Sequence, residues 1–196
     1  MYQLLLDSSN IYLTVALAKD CQLVDSIFYN AWQRQSELMV GEVENILKRN
    51  NIDKKSLDSV VVGIGPGSYT GVRIGVTIAK TIAYALHLKV YAKSSLSLLV
   101  NEGNPTICLF NARSGRSYFA VYQKDKVIEN DTVLTNEEVL NYIEKHPDYK
   151  VCGDTAQIGK ESDKFDIPLA LSKFTEKDLV KDIFTLNPTY LKDLLK

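Results

Sequence analysis

The stretch GIGPGSYTGVRIG, residues 63–75, decides the fold of this chain. It follows the apolar, strand-like residues 58–62 and opens the most regular apolar helix pattern in the sequence. Glycines allow a sharp turn and a close approach of the backbone to a ligand or to another segment. Ser68 or Thr70 is a candidate helix cap, and free N–H groups at the helix start would suit an anion. Two interpretations stay open: a phosphate cradle, or a turn that needs small residues to pack a helix on a sheet.

Composition indicates an ordinary globular protein. The chain has 196 residues, 45% of them hydrophobic, which is enough to form one large domain or two small lobes. Its 23 basic and 24 acidic residues leave a net charge of −1, without the basic block of a protein that binds nucleic acid alone. Any contact with RNA would therefore depend mainly on another protein.

The cysteines and the apolar runs indicate the compartment. Cys21, Cys108 and Cys152 are far apart and form no CxxC pair, and the last two lie in strand-like runs that predict buried thiols. No leader-like segment opens the chain, and no apolar run reaches the ~18 residues of a membrane span. We therefore expect a cytoplasmic protein without membrane contact.

The first half of the chain predicts a mixed α/β lobe. Apolar alternation and helical spacing predict, in order, strands at 2–7, 12–18 and 23–29, a helix at 33–48, a strand at 59–64, a helix at 72–86 and a strand at 89–92. This order is typical of a ribonuclease-H-like lobe, in which helical crossovers join parallel strands.

The second half repeats the beginning of the first. After a short helix at 94–100 and a break at 102–105, strands are predicted at 106–110, 116–122 and 126–129, then a helix at 136–145 and a short strand ending at Cys152. Residues 153–196 are more polar and weakly patterned. We predict an α/β fold of two lobes with mixed sheets, residues 1–103 and 104–196, the second lobe abbreviated.

The second helix is apolar over more of its circumference than one sheet can cover. Its apolar residues span roughly 200° of the helix, whereas packing on a sheet needs ~100°. They are Val72, Ile74, Val76, Ile78, Ala79, Ile82, Ala83, Ala85 and Leu86. Either this helix is sandwiched within one chain, or another chain covers it. An edge of small residues, Gly75, Ala79 and Ala83, would let a neighbouring helix approach closely.

Several spaced motifs resemble those of the bacterial TsaB (YeaZ) family. Residues 65–75, followed by Ala79-Lys80, resemble the family signature GPGSFTGLRIG with its AKG-like continuation. Four further segments match family motifs in the same order: Asp7-Ser8-Ser9, Ser94-Ser95-Leu96, Asn111-Ala112-Arg113 and Pro188-Thr189-Tyr190-Leu191. The motifs that carry the resemblance are spread over almost the whole chain.

The resemblance implies a two-lobed actin-like fold and a role in forming N6-threonylcarbamoyladenosine beside the anticodon of tRNA. In the family, the related subunit TsaD transfers the threonylcarbamoyl group, and the ATPase subunit TsaE supports turnover. The protein would be a non-catalytic accessory subunit that binds TsaD as a heterodimer. It would reach tRNA through the complex rather than directly. Members of the family also form homodimers through the same lobe, and whether this chain is a homodimer or a monomer in isolation stays open.

The resemblance also implies which residues meet the partner, since the first two helices of such a lobe pack against the equivalent helices of TsaD. The predicted partner interface is Gln35, Leu38, Met39, Glu42, Val43, Ile46, Val72, Gly75, Val76, Ile78, Ala79, Ile82 and Ala83. The motif loop that seats the second helix is Gly65, Pro66, Gly67, Ser68, Tyr69, Thr70, Gly71 and Arg73.

No catalytic residue and no metal site is predicted. A metal-binding HxxxH pair would place two histidines on one helix face, but the chain has only His87 and His146. Many family members keep a histidine-serine pair at the start of the first helix, where this chain has Gln35-Ser36.

Nucleotide binding is predicted to be vestigial at most. The first hairpin reads Asp7-Ser8-Ser9-Asn10 without the glycine of a phosphate-binding turn, and no GKS or GKT closes the motif loop. The candidate vestigial site is Asp7, Arg113, Gly153 and Asp154. The chain would need no cofactor of its own, with a nucleotide at the partner interface left open. The alternative function is a stand-alone actin-fold ATPase or sugar-kinase-like enzyme, with Asp7 holding magnesium.

Overall fold

Two mixed β-sheets form the frame of the protein, and the computed structural model describes residues 1–100 and 103–191. The first sheet has five strands in the spatial order β3-β2-β1-β4-β5. Their bounds are β1 Tyr2–Asp7, β2 Tyr12–Lys19, β3 Gln22–Asn30, β4 Leu57–Gly63 and β5 Lys89–Lys93. Strands β1, β4 and β5 are parallel, and β2 is antiparallel to both of its neighbours.

Helices α1, Gln35–Arg49, and α2, Tyr69–Leu86, are the crossovers of this first sheet. Both lie on the same face, over a core that includes Leu4, Leu6 and Val60. The predicted order of strands and helices for this lobe is confirmed. Helix α2 starts at Tyr69 rather than at the predicted residue 72, because Ser68 caps it by accepting the Gly71 N–H at 3.3 Å.

The second sheet has four strands in the order β8-β7-β6-β9. Its elements are β6 Thr106–Arg113, β7 Arg116–Gln123, β8 Lys126–Thr135, helix α3 Asn136–Lys145 and β9 Lys150–Gly153. The prediction that β8 ends at residue 129 is wrong, because the strand continues past the polar Asn130 and Asp131 to Thr135 and pairs with β7, with Val133 opposite Tyr118. The predicted helix at 94–100 is a single 3₁₀ turn, Leu96–Leu99.

A second core joins the two sheets. It combines Leu5 and Val61 of the first sheet with Cys108, Phe110 and Cys152 of the second. Cys108 and Cys152 are register partners on β6 and β9, and both thiols are buried, as the sequence predicted. A third core lies under α3, on the outer face of the second sheet.

The C-terminal segment returns to the first sheet. Helix α4, Ile167–Ser172, accepts a hydrogen bond from Lys93 Nζ at its Ala170 carbonyl, 3.1 Å away. Further along, the Val180 N–H donates to the Val90 carbonyl at 2.9 Å, and the Thr189 N–H donates to the Ile64 carbonyl at 2.7 Å. The division at residues 103 and 104 stays a prediction. The second sheet does begin just after it, but residues 167–191 pack against the first.

The glycines of the motif loop are needed because a turn of the first hairpin lies against them. A Cβ at Gly71 would overlap the Ser8 carbonyl oxygen, and one at Gly67 would overlap that of Ser9. Hydrogen bonds join the same segments: the Ser68 N–H donates to the Ser9 carbonyl at 2.7 Å, and the Ser8 hydroxyl donates to the Gly71 carbonyl at 2.8 Å. Of the two interpretations of this loop, the geometry favours packing.

This packing predicts opposite effects of one substitution at two helical glycines. Gly71→Ala should destabilise the protein by about 2 kcal/mol or more, because the overlapping atoms belong to the backbone. Gly41→Ala in α1 should stabilise it by about 0.5–1 kcal/mol, because nothing lies within 4 Å of the added Cβ and alanine favours the helix. Urea denaturation of both variants measures the difference, and equal effects would contradict this account of the loop.

Candidate functional site: the helix pair and the cleft between the sheets

Most of the residues predicted for the partner interface on α2 lie inside the chain. Val72, Val76, Ala79 and Ala83 are at most 3% exposed and belong to the core under the helix. A Cβ at Gly75 would lie 3.1 Å from the Ser8 hydroxyl. Here the prediction is corrected: the small-residue edge faces the protein's own sheet, because small side chains let α2 approach it closely.

The same holds for most of the predicted residues on α1. Met39 and Ile46 are fully buried, and Val43 is 8% exposed. Gln35 is buried and donates its side-chain N–H to the Asn10 carbonyl at 3.1 Å. These four residues are therefore core residues too. Of the predicted interface, only Leu38, Glu42, Ile78 and Ile82 keep partial exposure.

The two flanks of α2 have different neighbours. Arg73 donates from Nε to the Tyr190 hydroxyl at 2.7 Å, and Lys80 Nζ donates to the Leu186 carbonyl at 2.9 Å. This flank thus contacts the C-terminal segment. The opposite flank, with Ile74, Ile78 and Ile82, is turned toward α1, since these residues lie about 120–160° round the helix from Lys80.

The flank of α1 that faces α2 can be identified in the same way. Glu42 accepts a hydrogen bond from the Tyr29 hydroxyl at 2.9 Å, and Arg49 pairs with Asp25. The flank of α1 that carries Glu42 and Arg49 therefore faces β3. Leu38 lies on the β3 side as well. Val40 lies on the other flank, toward α2, and is 59% exposed.

These contacts define a largely apolar surface across the two helices, here called the helix-pair surface. It comprises Val40 and Gly41 of α1 and Ile74, Ile78 and Ile82 of α2. The isoleucines are half-buried, while Gly41 is exposed with free space around its Cα. Sequence reasoning missed Val40 because it stands outside the apolar repeat of α1. An apolar residue on the polar side of an amphipathic helix was the signal available.

The motif loop ties α2 to the C-terminal segment. The Gly65 N–H donates to the Ser95 hydroxyl at 2.9 Å, and Ser68, not Thr70, caps the helix. The Arg73 guanidinium carbon lies 3.9 Å from the centroid of the Tyr69 ring, and the rings of Tyr69 and Tyr190 are 5.2 Å apart. The GPGSYTGVR and PTYL motifs therefore meet in space. Pro66 and Thr70 complete the loop, where Thr70 is exposed and Pro66 is buried.

Asp7 is sealed beneath the motif loop. Its carboxylate accepts hydrogen bonds from the Ser9 N–H at 3.1 Å, the Ser9 hydroxyl at 2.9 Å and the Ser95 hydroxyl at 3.3 Å. Gly63 is required beside it, because a Cβ there would overlap the carboxylate. Full burial raises the pKa of Asp7 to about 6, although these hydrogen bonds lower it.

A cleft of about 1200 Å³ separates the two sheets on the side of the motif loop. Arg113, Gly153 and Asp154 line it, but Asp7 does not. The structure therefore brings together three of the four residues of the predicted vestigial site. Asp154 accepts the Asn111 N–H at 2.9 Å, and burial raises the pKa of its carboxyl group.

The two histidines have structural contacts. His87 is the C-cap of α2, where its N–H donates to helix carbonyls. The His146 ring stacks on Tyr142 at 4.2 Å, with Nδ1 2.8 Å from the Tyr142 carbonyl. Within residues 1–100 and 103–191, no cluster of three or more His, Cys, Asp or Glu side chains could hold a metal ion. The helices in the described part of the chain are all too short or too polar to span a membrane.

Comparison with known proteins places this architecture in a family. The family model described as "TsaD: tRNA N6-adenosine threonylcarbamoyltransferase" matches residues 30–179. The tRNA threonylcarbamoyladenosine biosynthesis protein TsaB of Bacillus subtilis is 30% identical over 92% of this chain and 75% of its own length. Its namesake in Haemophilus influenzae is 26% identical over 84% of this chain and 72% of its own length.

The solved structures agree on the fold. YeaZ from Pseudomonas aeruginosa superposes with a TM-score of 0.80 at 20% identity, over 97% of this chain and 99% of that one. The predicted two-lobed actin-like fold with mixed sheets is thereby confirmed, and the protein is of the actin-like class. Within that class, the chain belongs to the TsaB (YeaZ) family.

The raised pKa of Asp7 predicts a pH-dependent effect of Asp7→Asn. The folded state favours the neutral carboxyl, so the contribution of Asp7 to stability is complete below its ordinary value of 3.8 and is lost as the pH rises through about 6. Asparagine stays neutral: its amide oxygen can accept the two hydrogen bonds from Ser9, and its amide nitrogen can donate to the Ser95 hydroxyl, as a protonated carboxyl group would. At pH 8 the variant should therefore be more stable than the parent by about 3 kcal/mol, a difference that falls below about 1 kcal/mol near pH 4.

Denaturant unfolding of the parent and the variant between pH 4 and pH 8 measures this effect. The exposed Asp125 offers the matched control, since Asp125→Asn should leave the pH profile unchanged. A variant that is less stable at pH 8 than at pH 4, relative to the parent, would show that Asp7 is stabilised as the carboxylate.

Proposed function

We propose that this protein is a non-catalytic accessory subunit in the formation of N6-threonylcarbamoyladenosine in tRNA, and that it acts by binding TsaD, joined by TsaE. The names of the Bacillus and Haemophilus relatives support the pathway. The match of the TsaD family model to residues 30–179 supports a partner of the same fold. A cytoplasmic location follows from this role as part of the proposal.

The helix-pair surface is the observation that carries the proposal. Val40 is 59% exposed beside three half-buried isoleucines, on the outer layer of the first sheet. A partner of the same fold presents an equivalent pair of helices, so the two pairs can pack with approximate twofold symmetry. Burying exposed Val and Ile side chains contributes about 25 cal/mol per Å² of apolar area. A second copy of this chain would use the same surface, and TsaD would displace it.

The alternative, a stand-alone ATPase or sugar-kinase-like enzyme, has less support. The carboxylate that would hold magnesium, Asp7, is fully buried. The Ser9 N–H, which a phosphate-binding turn would offer to a nucleotide, is donated to Asp7 instead. Tight binding of MgATP by the isolated protein, lost in Asp7→Ala, would favour this alternative. A nucleotide held between this protein and TsaD remains part of our proposal.

Two substitutions on the helix-pair surface test the partner role. Ile78→Asp places a charge in the predicted contact. Gly41→Arg adds bulk at an exposed position where nothing lies within 4 Å of the added Cβ in the free protein. Both should weaken co-purification with TsaD at least about tenfold, which corresponds to 1.4 kcal/mol. Ile143→Asp is the matched control, because Ile143 is a half-buried isoleucine on α3 in the second lobe.

Reconstituted tRNA modification completes the test. Omitting this protein, or replacing it with Gly41→Arg, should abolish the modification of tRNA by TsaD and TsaE, and Ile143→Asp should support it. Circular dichroism establishes that each variant is folded. Modification that proceeds equally well without this protein, or unchanged TsaD binding by both surface variants, would overturn the proposed function.

A further inference from the structure

The cleft between the sheets contains polar side chains with unused hydrogen-bonding groups. Thr155 is 3% exposed and lines the cleft, and its hydroxyl has no partner within the described residues. Asn10 is 7% exposed; its amide oxygen accepts the Tyr12 N–H at 2.7 Å, while its amide nitrogen has no protein partner there. Both residues line the cleft, and neither of these two atoms is sealed inside the protein, so both groups can hydrogen-bond to a ligand in the cleft.

One negative and one positive side chain, Asp154 and Arg113, line the cleft. Asp154 uses one carboxylate oxygen to accept the Asn111 N–H, which leaves the other without a protein partner in the described part of the chain. Arg113 is the single cation among the residues that line the cleft, and its guanidinium forms no ion pair within residues 1–100 and 103–191. A ligand here would therefore carry both a negative group and hydrogen-bond donors.

Three exposed aromatic residues line the cleft. Trp32 is 49% exposed, Tyr69 57% and Tyr190 40%. The Arg73 guanidinium already lies over Tyr69, so Trp32 offers the free ring face. Solvent-facing aromatic rings are the platforms on which unstacked nucleic acid bases stack.

The size of the cleft leaves room for more than one nucleotide. Sites for one small ligand enclose about 300–1000 Å³, and this cleft measures about 1200 Å³. We infer that the cleft binds a short single-stranded segment of RNA, with a base on Trp32, a phosphate at Arg113 and base edges at Asn10, Asp154 and Thr155. This inference rests on the proposed function, and it assigns this protein a direct contact with RNA, unlike the expectation from the sequence.

The only tryptophan of the chain provides the measurement, because Trp32 fluorescence reports on a base stacked against it. Titration with an unstructured RNA octamer should quench the fluorescence, and AMP should bind at least about tenfold more weakly. Arg113→Gln and Thr155→Val should each weaken octamer binding severalfold. Arg116→Gln is the matched control, since Arg116 faces Arg113 across the β6–β7 turn but does not line the cleft.

Salt dependence and a labelled octamer separate this role from a structural one. For the parent, the logarithm of the affinity should fall with the logarithm of salt concentration, and Arg113→Gln should reduce that slope by about 0.7, the contribution of one phosphate. Trp32→Ala, followed by anisotropy of the labelled octamer, should lose about tenfold in affinity. Thermal unfolding establishes that Thr155→Val and Trp32→Ala are folded.

The outcomes distinguish this inference from the partner role. Ile78→Asp should lose binding to TsaD and keep binding to the octamer. Arg113→Gln should keep binding to TsaD and bind the octamer more weakly. Absence of quenching by the octamer at 1 mM (about a hundredfold above a moderate 10 µM affinity), equal loss in Arg116→Gln, or AMP binding as tight as the octamer would overturn the inference. A TsaD peptide cross-linked within the cleft of the complex would overturn it as well.

Discussion

The contact between the first hairpin turn and the start of α2 is the constraint on which the structure depends. The Ser8 hydroxyl donates to the Gly71 carbonyl, and the Ser68 N–H donates to the Ser9 carbonyl, so the two backbones meet with no side chain between them. Only glycine at positions 67 and 71 leaves room for this approach. The contact fixes the starting point and rotation of α2 over the sheet. It also occupies the Ser8 hydroxyl, a donor that would otherwise be free for a phosphate.

The rotation of α2 in turn determines what each of its flanks can do. With Ala79 and Ala83 against the sheet, Ile78 is turned toward α1, and Lys80 is turned toward the C-terminal segment. The helix thus holds residues 183–190 on one side and leaves an apolar surface on the other. Because both flanks belong to one rigid helix, a change at the motif loop would disturb both together.

The sequence predicted the elements well because their periodicities are local. Strand alternation and helical spacing gave the order of the first lobe and the start of the second sheet at Thr106. The second half of β8 was missed because Asn130 and Asp131 are residues typical of turns, and only the tertiary pairing with β7 shows that the strand runs through them. The return of residues 167–191 to the first sheet was missed for the same reason.

The predicted interface shows a different limit of sequence reasoning. A helix that is apolar over roughly 200° does not reveal which part of that arc meets its own sheet. The small residues, Ala79 and Ala83, were assigned to a partner because they permit close approach, but the sheet itself requires it.

The close contact between the first hairpin and α2 also explains how the cleft can bind a ligand although Asp7 is buried. The end of β1 serves packing, and its carboxylate is satisfied by Ser9 and Ser95. The groups left free, on Asn10 and Thr155, lie on segments beyond that contact, where the two sheets face each other. The groups that can bind a ligand therefore lie on the walls of the cleft and not at the end of β1. There the charge of Arg113 and the ring of Trp32 favour a strand of bases over the metal-bound phosphates that an exposed Asp7 would support.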